Sequence, residues 1–173
     1  MDTIEIIKLF GAVVAIVGIP LTWWRVRVAE RALRADVYFR VLEMLEANRD
    51  VRHLLEGKLP KPDLKLFESL SPDEQKKLDG LARVYDQVGL LVKHGAIPLD
   101  FLMDFYSRPL VVAWSRLSPH IRCVREQRGQ PGHMVKFEML AIEAKIHRDK
   151  HHKGEETFNI STEDNRRWKT WRK

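Results

Sequence analysis

The chain has 173 residues, of which 45% are hydrophobic and 31% are charged, and this composition predicts one folded domain with one appendage. Its single cysteine, Cys123, excludes a disulfide-stapled fold because no intrachain pair can form. The formal net charge of +6 permits an anionic partner, such as nucleic acid, an anionic lipid surface or an acidic protein, and does not choose among them.

The first predicted element is an apolar segment near the N-terminus. It contains no charged residue from Leu9 to Trp24, and it reaches back to Ile6 if Lys8 snorkels to the surface. A helix of this extended length spans roughly 28 Å, at about 1.5 Å per residue, which is close to the hydrocarbon thickness of a bilayer. We therefore predict a transmembrane anchor over residues 1–24.

The end of this segment has the composition of a membrane interface. Tryptophan is enriched at such interfaces, and Lys and Arg are enriched on their cytoplasmic side, so we expect the N-terminus outside and the following domain in the cytoplasm. A buried helix of a soluble core would account for the apolar residues but not for a Trp pair followed by arginines. A cleaved signal peptide would need a positive start, and this start is acidic. The predicted interface residues are Trp23, Trp24, Arg25, Arg27 and Arg31.

Three small residues of the anchor, Gly11, Ala15 and Gly18, fall on one helix face. Small residues allow a second transmembrane helix to approach closely, and we predict partner packing there. The alternative is that small residues are simply common in membrane helices.

The residues after the anchor predict an all-α cytoplasmic domain of about five helices over 25–147, divided into a stalk helix (25–47) and a helical core (48–147). Helical spacing of apolar residues supports the stalk, and a short helix ending at Gly57 begins the core. Pro60 and Pro62 make the stretch from Lys58 to Leu70 loop-like.

A helix-start signal follows at Ser71, with Pro72 at the first helical position and Glu74 completing a capping box. This helix is expected to end at Gly95. A short helix over 99–106 and a second one opened by Pro109 and continuing through Pro119 come next. The last long helix begins near Met134 after a Gly-Gln-Pro-Gly turn, and its two apolar rows predict deep packing or contact with a partner.

Residues 148–173 form a basic, Trp-containing tail. We predict that it contacts lipid or a protein partner, because cations are attracted to anionic headgroups and Trp prefers the interface. Nucleic-acid binding is a less favoured interpretation, and a solvated chain end is the plain alternative. The contact residues proposed are Arg166, Arg167, Trp168, Lys169, Trp171 and Arg172.

Three segments of the core resemble a bacterial family catalogued as domain of unknown function 4760. They are LARVYDQVGLLVKHGAIP at 81–98, YSRPL at 106–110 and WSRLSPHI at 114–121. The resemblance runs from the anchor to Ile146 and implies a membrane-anchored helical domain. It implies no catalytic residue.

Glu143, His147 and His151 share a helix face at metal-ligand spacing, but nearby Lys and Arg residues favour a solvated face. We assign no catalytic, cofactor-binding or metal residue, no cofactor and no small-molecule substrate, and we expect no enzymatic activity. The expected role is an accessory or scaffold subunit that contacts membrane lipid and other subunits of a larger membrane complex. The alternative is a membrane-tethered regulator or effector with an unrecognised ligand or active site.

Overall fold

A computed structural model of the protein describes residues 21–29 and 35–151. The chain divides into two units, residues 1–40 and 41–173. In the first unit, residues 21–29 and 35–40 are helical, and Asp36 and Arg40 form an ion pair of 3.0 Å one helical turn apart. The helices described in the second unit are α1 (residues 41–47), α2 (Arg49–Lys58), α3 (Leu64–Glu68), α4 (Pro72–Lys93), α5 (Leu99–Arg128) and α6 (Val135–His151).

The predicted all-α class is confirmed, since no strand occurs within the two described ranges. The start of α4 is also as predicted. The Ser71 hydroxyl accepts a hydrogen bond from the Glu74 amide at 3.3 Å, and the Glu74 carboxylate accepts one from the Ser71 amide at 3.0 Å. The helix ends at Lys93, and Gly95 follows with a φ of +69°, a left-handed conformation that favours glycine.

The prediction of two helices between 99 and 128 is wrong, because α5 is a single helix that contains both Pro109 and Pro119. A proline inside a helix leaves the carbonyl four residues earlier without its usual donor. For Pro119 that carbonyl belongs to Ser115, and the Ser118 hydroxyl donates to it at 3.4 Å. The buried face of α5 continues past this point through Ile121, so packing holds the helix together.

The prediction of a loop from Lys58 to Leu70 is wrong in part, because the short helix α3 lies within it. The Asp63 carboxylate caps its start by accepting from the Leu66 amide at 3.3 Å. The Gln75 side chain donates to the carbonyl of Glu68, the last residue of α3, at 3.2 Å and to that of Leu70, just beyond the helix, at 3.0 Å. The helix has five residues and buries Phe67, which is too little for a hydrophobic period to be recognised.

Helix α6 is the centre of the second unit. All eight residues 137–144 are buried, which confirms the deep packing predicted from the two apolar rows. The Phe137 ring lies 5.0 Å from that of Tyr85 on α4 and 5.2 Å from that of Trp114 on α5, measured between centroids. Helix α6 therefore packs against both long helices.

The beginning of α6 is fixed by α4. The Asp86 carboxylate accepts hydrogen bonds from the amides of Lys136 and Phe137 at 2.8 and 3.0 Å, so it caps a helix to which it does not belong. One turn away, a Cβ atom on Gly89 would lie 2.6 Å from the Lys136 carbonyl oxygen. Glycine is therefore required at this helix contact.

Within residues 21–29 and 35–151, no helix combines the length and the apolar character needed to cross a bilayer. Residues 1–20 of the predicted anchor lie outside the described residues, as do 152–173 of the predicted tail.

Candidate interaction site

The predicted interface residues that the structure describes lie on the helical segment 21–29. Trp23, Trp24, Arg25 and Arg27 are all exposed, and the Arg27 guanidinium lies 4.6 Å from the centroid of the Trp23 ring. Such a cation–π contact keeps an aromatic side chain and a cation together on one helix face. Outside the described residues lie Arg31, the packing residues Gly11, Ala15 and Gly18, and the tail residues Arg166, Arg167, Trp168, Lys169, Trp171 and Arg172.

A cavity of about 350 Å³ opens between α1, α2 and the first half of α5 in the second unit. We call it the aromatic groove. Its volume is at the lower end of the range of about 300–1,000 Å³ that is usual for ligand sites. The lining residues are Leu42, Glu46, Arg52, Phe101, Phe105, Tyr106 and Pro109.

The floor of the groove is a polar group built from three helices. The Tyr106 hydroxyl donates to the Glu46 carboxylate at 2.8 Å, and the Arg52 guanidinium lies 3.4 Å from the same oxygen. Arg52 also donates to the backbone carbonyl of Leu45 and lies 5.8 Å from the centroid of the Tyr106 ring. These contacts hold α1, α2 and α5 together at the base of the groove.

Protonation in the groove follows from this geometry. The hydrogen bond from Tyr106, more than the charge of Arg52, holds the pKa of the Glu46 carboxyl below its usual value. Burial, with a further contribution from Glu46, raises the pKa of Tyr106 to about 12, and burial raises that of Tyr85 to about 12 as well. At neutral pH the floor therefore holds one carboxylate and one neutral tyrosine.

The rim of the groove is apolar and exposed. Phe105 exposes 66% of its surface, and its ring lies 5.6 Å from that of Phe101, one helical turn earlier. Leu102 and Tyr106, on the same turns of α5, are buried. The two phenylalanine rings place an exposed apolar edge directly beside the cavity.

The solvated face predicted for Glu143, His147 and His151 is wrong in part, although His151 is exposed as predicted. Helix α6 continues to His151, Glu143 is buried and His147 is half-buried, with its Nε2 atom 3.6 Å from the Asp104 carboxylate. The rings of His147 and His151 lie 4.6 Å apart. Within the described ranges, no cluster of three or more His, Cys, Asp or Glu residues could hold a metal ion.

A second cavity, of about 380 Å³, lies along the exposed side of α4. Its Asp79 carboxylate lies 3.1 Å from Nε2 of His120, whose ring stacks on Phe67 at 3.9 Å. This contact attaches the short helix α3 to α5. Because the histidine is held between a carboxylate and an aromatic ring, we interpret it as a packing element.

The described part of the chain is thus an all-helical domain with an open aromatic groove. Residues 5–144 match the family described as Domain of unknown function (DUF4760), and the chain belongs to this family, which confirms the resemblance noted in the sequence. Comparison with curated proteins and with solved structures found no match.

Sequence reasoning did not identify the groove. Glu46 and Arg52 lie about sixty positions before Tyr106, and no spacing rule connects them. One local signal was available. Phe101 and Phe105 are four residues apart and form a second apolar row beside the stripe of buried residues. A helix that packs on one face alone does not need this second row.

Proposed function

We propose that the protein is a single-pass protein of the bacterial inner membrane, with its N-terminus outside and its helical domain in the cytoplasm. The domain acts as a non-enzymatic accessory or scaffold subunit of a larger membrane complex. Its contacts are membrane lipid at the aromatic-basic segment and other protein subunits at the aromatic groove.

The membrane part of the proposal is supported by the helical segment 21–29. Its Trp23 and Trp24 are exposed beside Arg25 and Arg27, and exposed tryptophan followed by arginine suits the boundary between hydrocarbon and cytoplasmic headgroups. The sequence of residues 6–24 supplies the apolar length. Carbonate washing of membranes tests this part, because release of the protein into the supernatant would contradict a spanning helix.

The observation that carries the interaction role is the exposed Phe105 at the rim of the groove. Aromatic anchors that fill pockets supply much of the binding energy of protein interfaces. The floor beneath Phe105 is already organised by the contacts among Tyr106, Glu46 and Arg52. A partner would therefore meet a surface that needs little ordering on binding.

The interaction role can be tested by extraction in mild detergent, followed by native electrophoresis and mass spectrometry. We expect a co-purifying membrane subunit with the natural chain and its loss with Phe105→Ala. Leu90→Ala is the matched control, since Leu90 is an exposed apolar residue of α4 that does not line the groove. Migration of the natural protein as a lone monomer would contradict the proposal.

The second candidate is a membrane-tethered regulator that binds a small ligand. The polar floor of the groove favours it, because a carboxylate and a hydroxyl beside aromatic rings can orient one small molecule. Mass spectrometry of the natural protein under native conditions separates the candidates. A retained small molecule that is lost in Tyr106→Phe would favour the regulator, whereas a retained subunit would favour the scaffold.

A further inference from the structure

We propose that the chain's own basic, Trp-containing segment, residues 166–173, occupies the aromatic groove when no partner subunit is bound. The inference rests on the proposed function, because it takes the groove to be a docking surface. It adds which segment fills the groove before a partner binds. A partner subunit would then compete with the tail for the groove.

The first support is where the last described helix ends. Helices α5 and α6 are antiparallel, because Arg125 pairs with Glu138 near one end and Asp104 approaches His147 near the other. The end of α6 at His151 therefore lies level with the start of α5. Asp104 is followed directly by Phe105, so the chain leaves α6 close to the rim of the groove.

The second support is reach. Trp168 is 17 positions after His151, and a chain of that length can extend up to roughly 56 Å at about 3.3 Å per residue. To reach the groove from the end of α6, the tail needs to cross the width of one helix, about 10–12 Å. Because the segment is covalently attached, its effective concentration at the groove is on the order of millimolar, and a weak contact is enough to fill the site.

The third support is charge and shape. Residues 166–173 hold five cations and two tryptophans, without an acidic residue. The rim of the groove offers the Phe101 and Phe105 rings, and the Asp104 carboxylate beside them is 66% exposed. A tryptophan can stack on the phenylalanines while a neighbouring arginine or lysine faces the carboxylate.

The volume of the groove fits such an occupant. A cavity of about 350 Å³ with one open side accepts one large side chain and leaves the rest of the segment across the rim. Trp168 and Trp171 are three positions apart, so one can enter the cavity while the other covers the exposed part of Phe105. The tail would then shield the largest exposed apolar side chain of the rim from water.

Photo-cross-linking of the full-length protein in detergent tests the inference directly. A benzoylphenylalanine is placed at position 105, and the same probe at position 90 serves as the control. Light should attach position 105 to the C-terminal proteolytic fragment of the same chain, whereas position 90 should not. Mixing isotopically light and heavy protein before irradiation distinguishes attachment within one chain from attachment to a second copy.

Tail variants make the test quantitative. Trp168→Ala combined with Trp171→Ala should reduce the cross-linked yield about fivefold or more, as expected for loss of an aromatic anchor. Asp104→Asn should reduce it about twofold. Leu90→Ala, which removes an exposed apolar side chain of α4 that does not line the groove, should leave the yield unchanged.

Several results would overturn the inference. Attachment of position 105 to the tail of a second copy would assign the groove to self-association. If position 105 attached only to lipid in nanodiscs with anionic lipid, the tail would not occupy the groove and would remain assigned as a membrane contact. A cross-link to the chain's own tail combined with no co-purifying subunit would support the inference and contradict the scaffold role, so the two failures are distinguishable.

Discussion

Two arginine–glutamate pairs, each beside an aromatic ring, lie in different surroundings in the second unit. Arg125 and Glu138 are 2.7 Å apart, with side chains 7% and 0% exposed, whereas Arg52 and Glu46 are 3.4 Å apart, with side chains 15% and 55% exposed. The arginine lies 5.8 Å from the ring centroid of Trp114 in the first pair and of Tyr106 in the second.

Residue type alone therefore does not distinguish a pair that supports the fold from a pair that lines an open groove. A buried charge that loses its partner cannot turn to water, so the inner pair must stay complete. The outer pair can exchange its partner for water or for a ligand with little loss of stability. We therefore assign the inner pair to the fold and the outer pair to the groove.

The largest effect is expected for Glu138→Ala. It leaves the Arg125 guanidinium buried without its carboxylate, and removal of one partner from a buried pair typically costs about 3–5 kcal/mol. The free energy of unfolding, followed by far-ultraviolet circular dichroism during chemical denaturation in detergent, measures the loss.

Replacing both partners, as Arg125→Met with Glu138→Leu, provides the control. A hydrophobic pair of similar volume is often neutral relative to a buried ion pair, so the double variant should recover most of the stability. A loss of less than about 1 kcal/mol for Glu138→Ala would instead place the pair in the same class as exposed ion pairs.

The next effect is expected where α4 meets α6. In Gly89→Ala the new methyl group would overlap the Lys136 carbonyl, and overpacking of this kind costs about 1–3 kcal/mol. Gly80→Ala lies on the same helix with nothing within 4 Å of the new atom, and it should stabilise the protein by about 0.5–1 kcal/mol. Equal effects of the two substitutions in thermal unfolding would contradict the close contact.

Local chemistry made much of this fold predictable. The start of α4 follows from Ser71, Pro72 and Glu74, three residues within one helical turn, and its end follows from Gly95. The deep packing of α6 follows from two apolar rows on one helix. In each case the interacting residues are close in sequence, so spacing contains the information.

The misjudged parts depend on contacts between distant residues. Pro109 predicts a helix start by local rules, but the buried face of α5 against α6 continues through that position. The groove joins Glu46 to Tyr106 across sixty positions, and Asp86 caps a helix fifty positions later. Such pairings arise from packing, and a single sequence contains no period that reports them.

The capping of α6 by Asp86 supports a third prediction. Asp86→Ala removes an acceptor for two amides at the helix start, and loss of a cap costs about 0.5–2 kcal/mol. Asp149→Ala is a suitable control, because its carboxylate pairs with Lys145 in an exposed ion pair at the other end of α6. The control should change the unfolding free energy by less than about 0.5 kcal/mol.

A smaller effect is expected from pH at the start of α4. Hydrogen bonds from the Ser71 backbone and side chain, with Lys58, lower the pKa of Glu74 to about 2. A carboxyl whose pKa is depressed in the folded state stabilises the protein above the unfolded pKa of about 4.3, and that stability is lost as the pH falls towards 2. The unfolding midpoint of Glu74→Gln should therefore depend less on pH between about 5 and 2 than that of the natural protein.

The smallest effect on stability is expected for Glu46→Gln, the outer counterpart of Glu138→Ala. The amide oxygen can still accept from the Tyr106 hydroxyl, and the exposed site remains hydrated, so the unfolding midpoint should stay within experimental error. Recovery of the proposed co-purifying subunit should nevertheless fall, because Glu46 is the only carboxylate among the described residues that line the groove. A destabilisation comparable to that of Glu138→Ala would contradict the division, since it would mean that the groove floor supports the fold as strongly as the buried pair does.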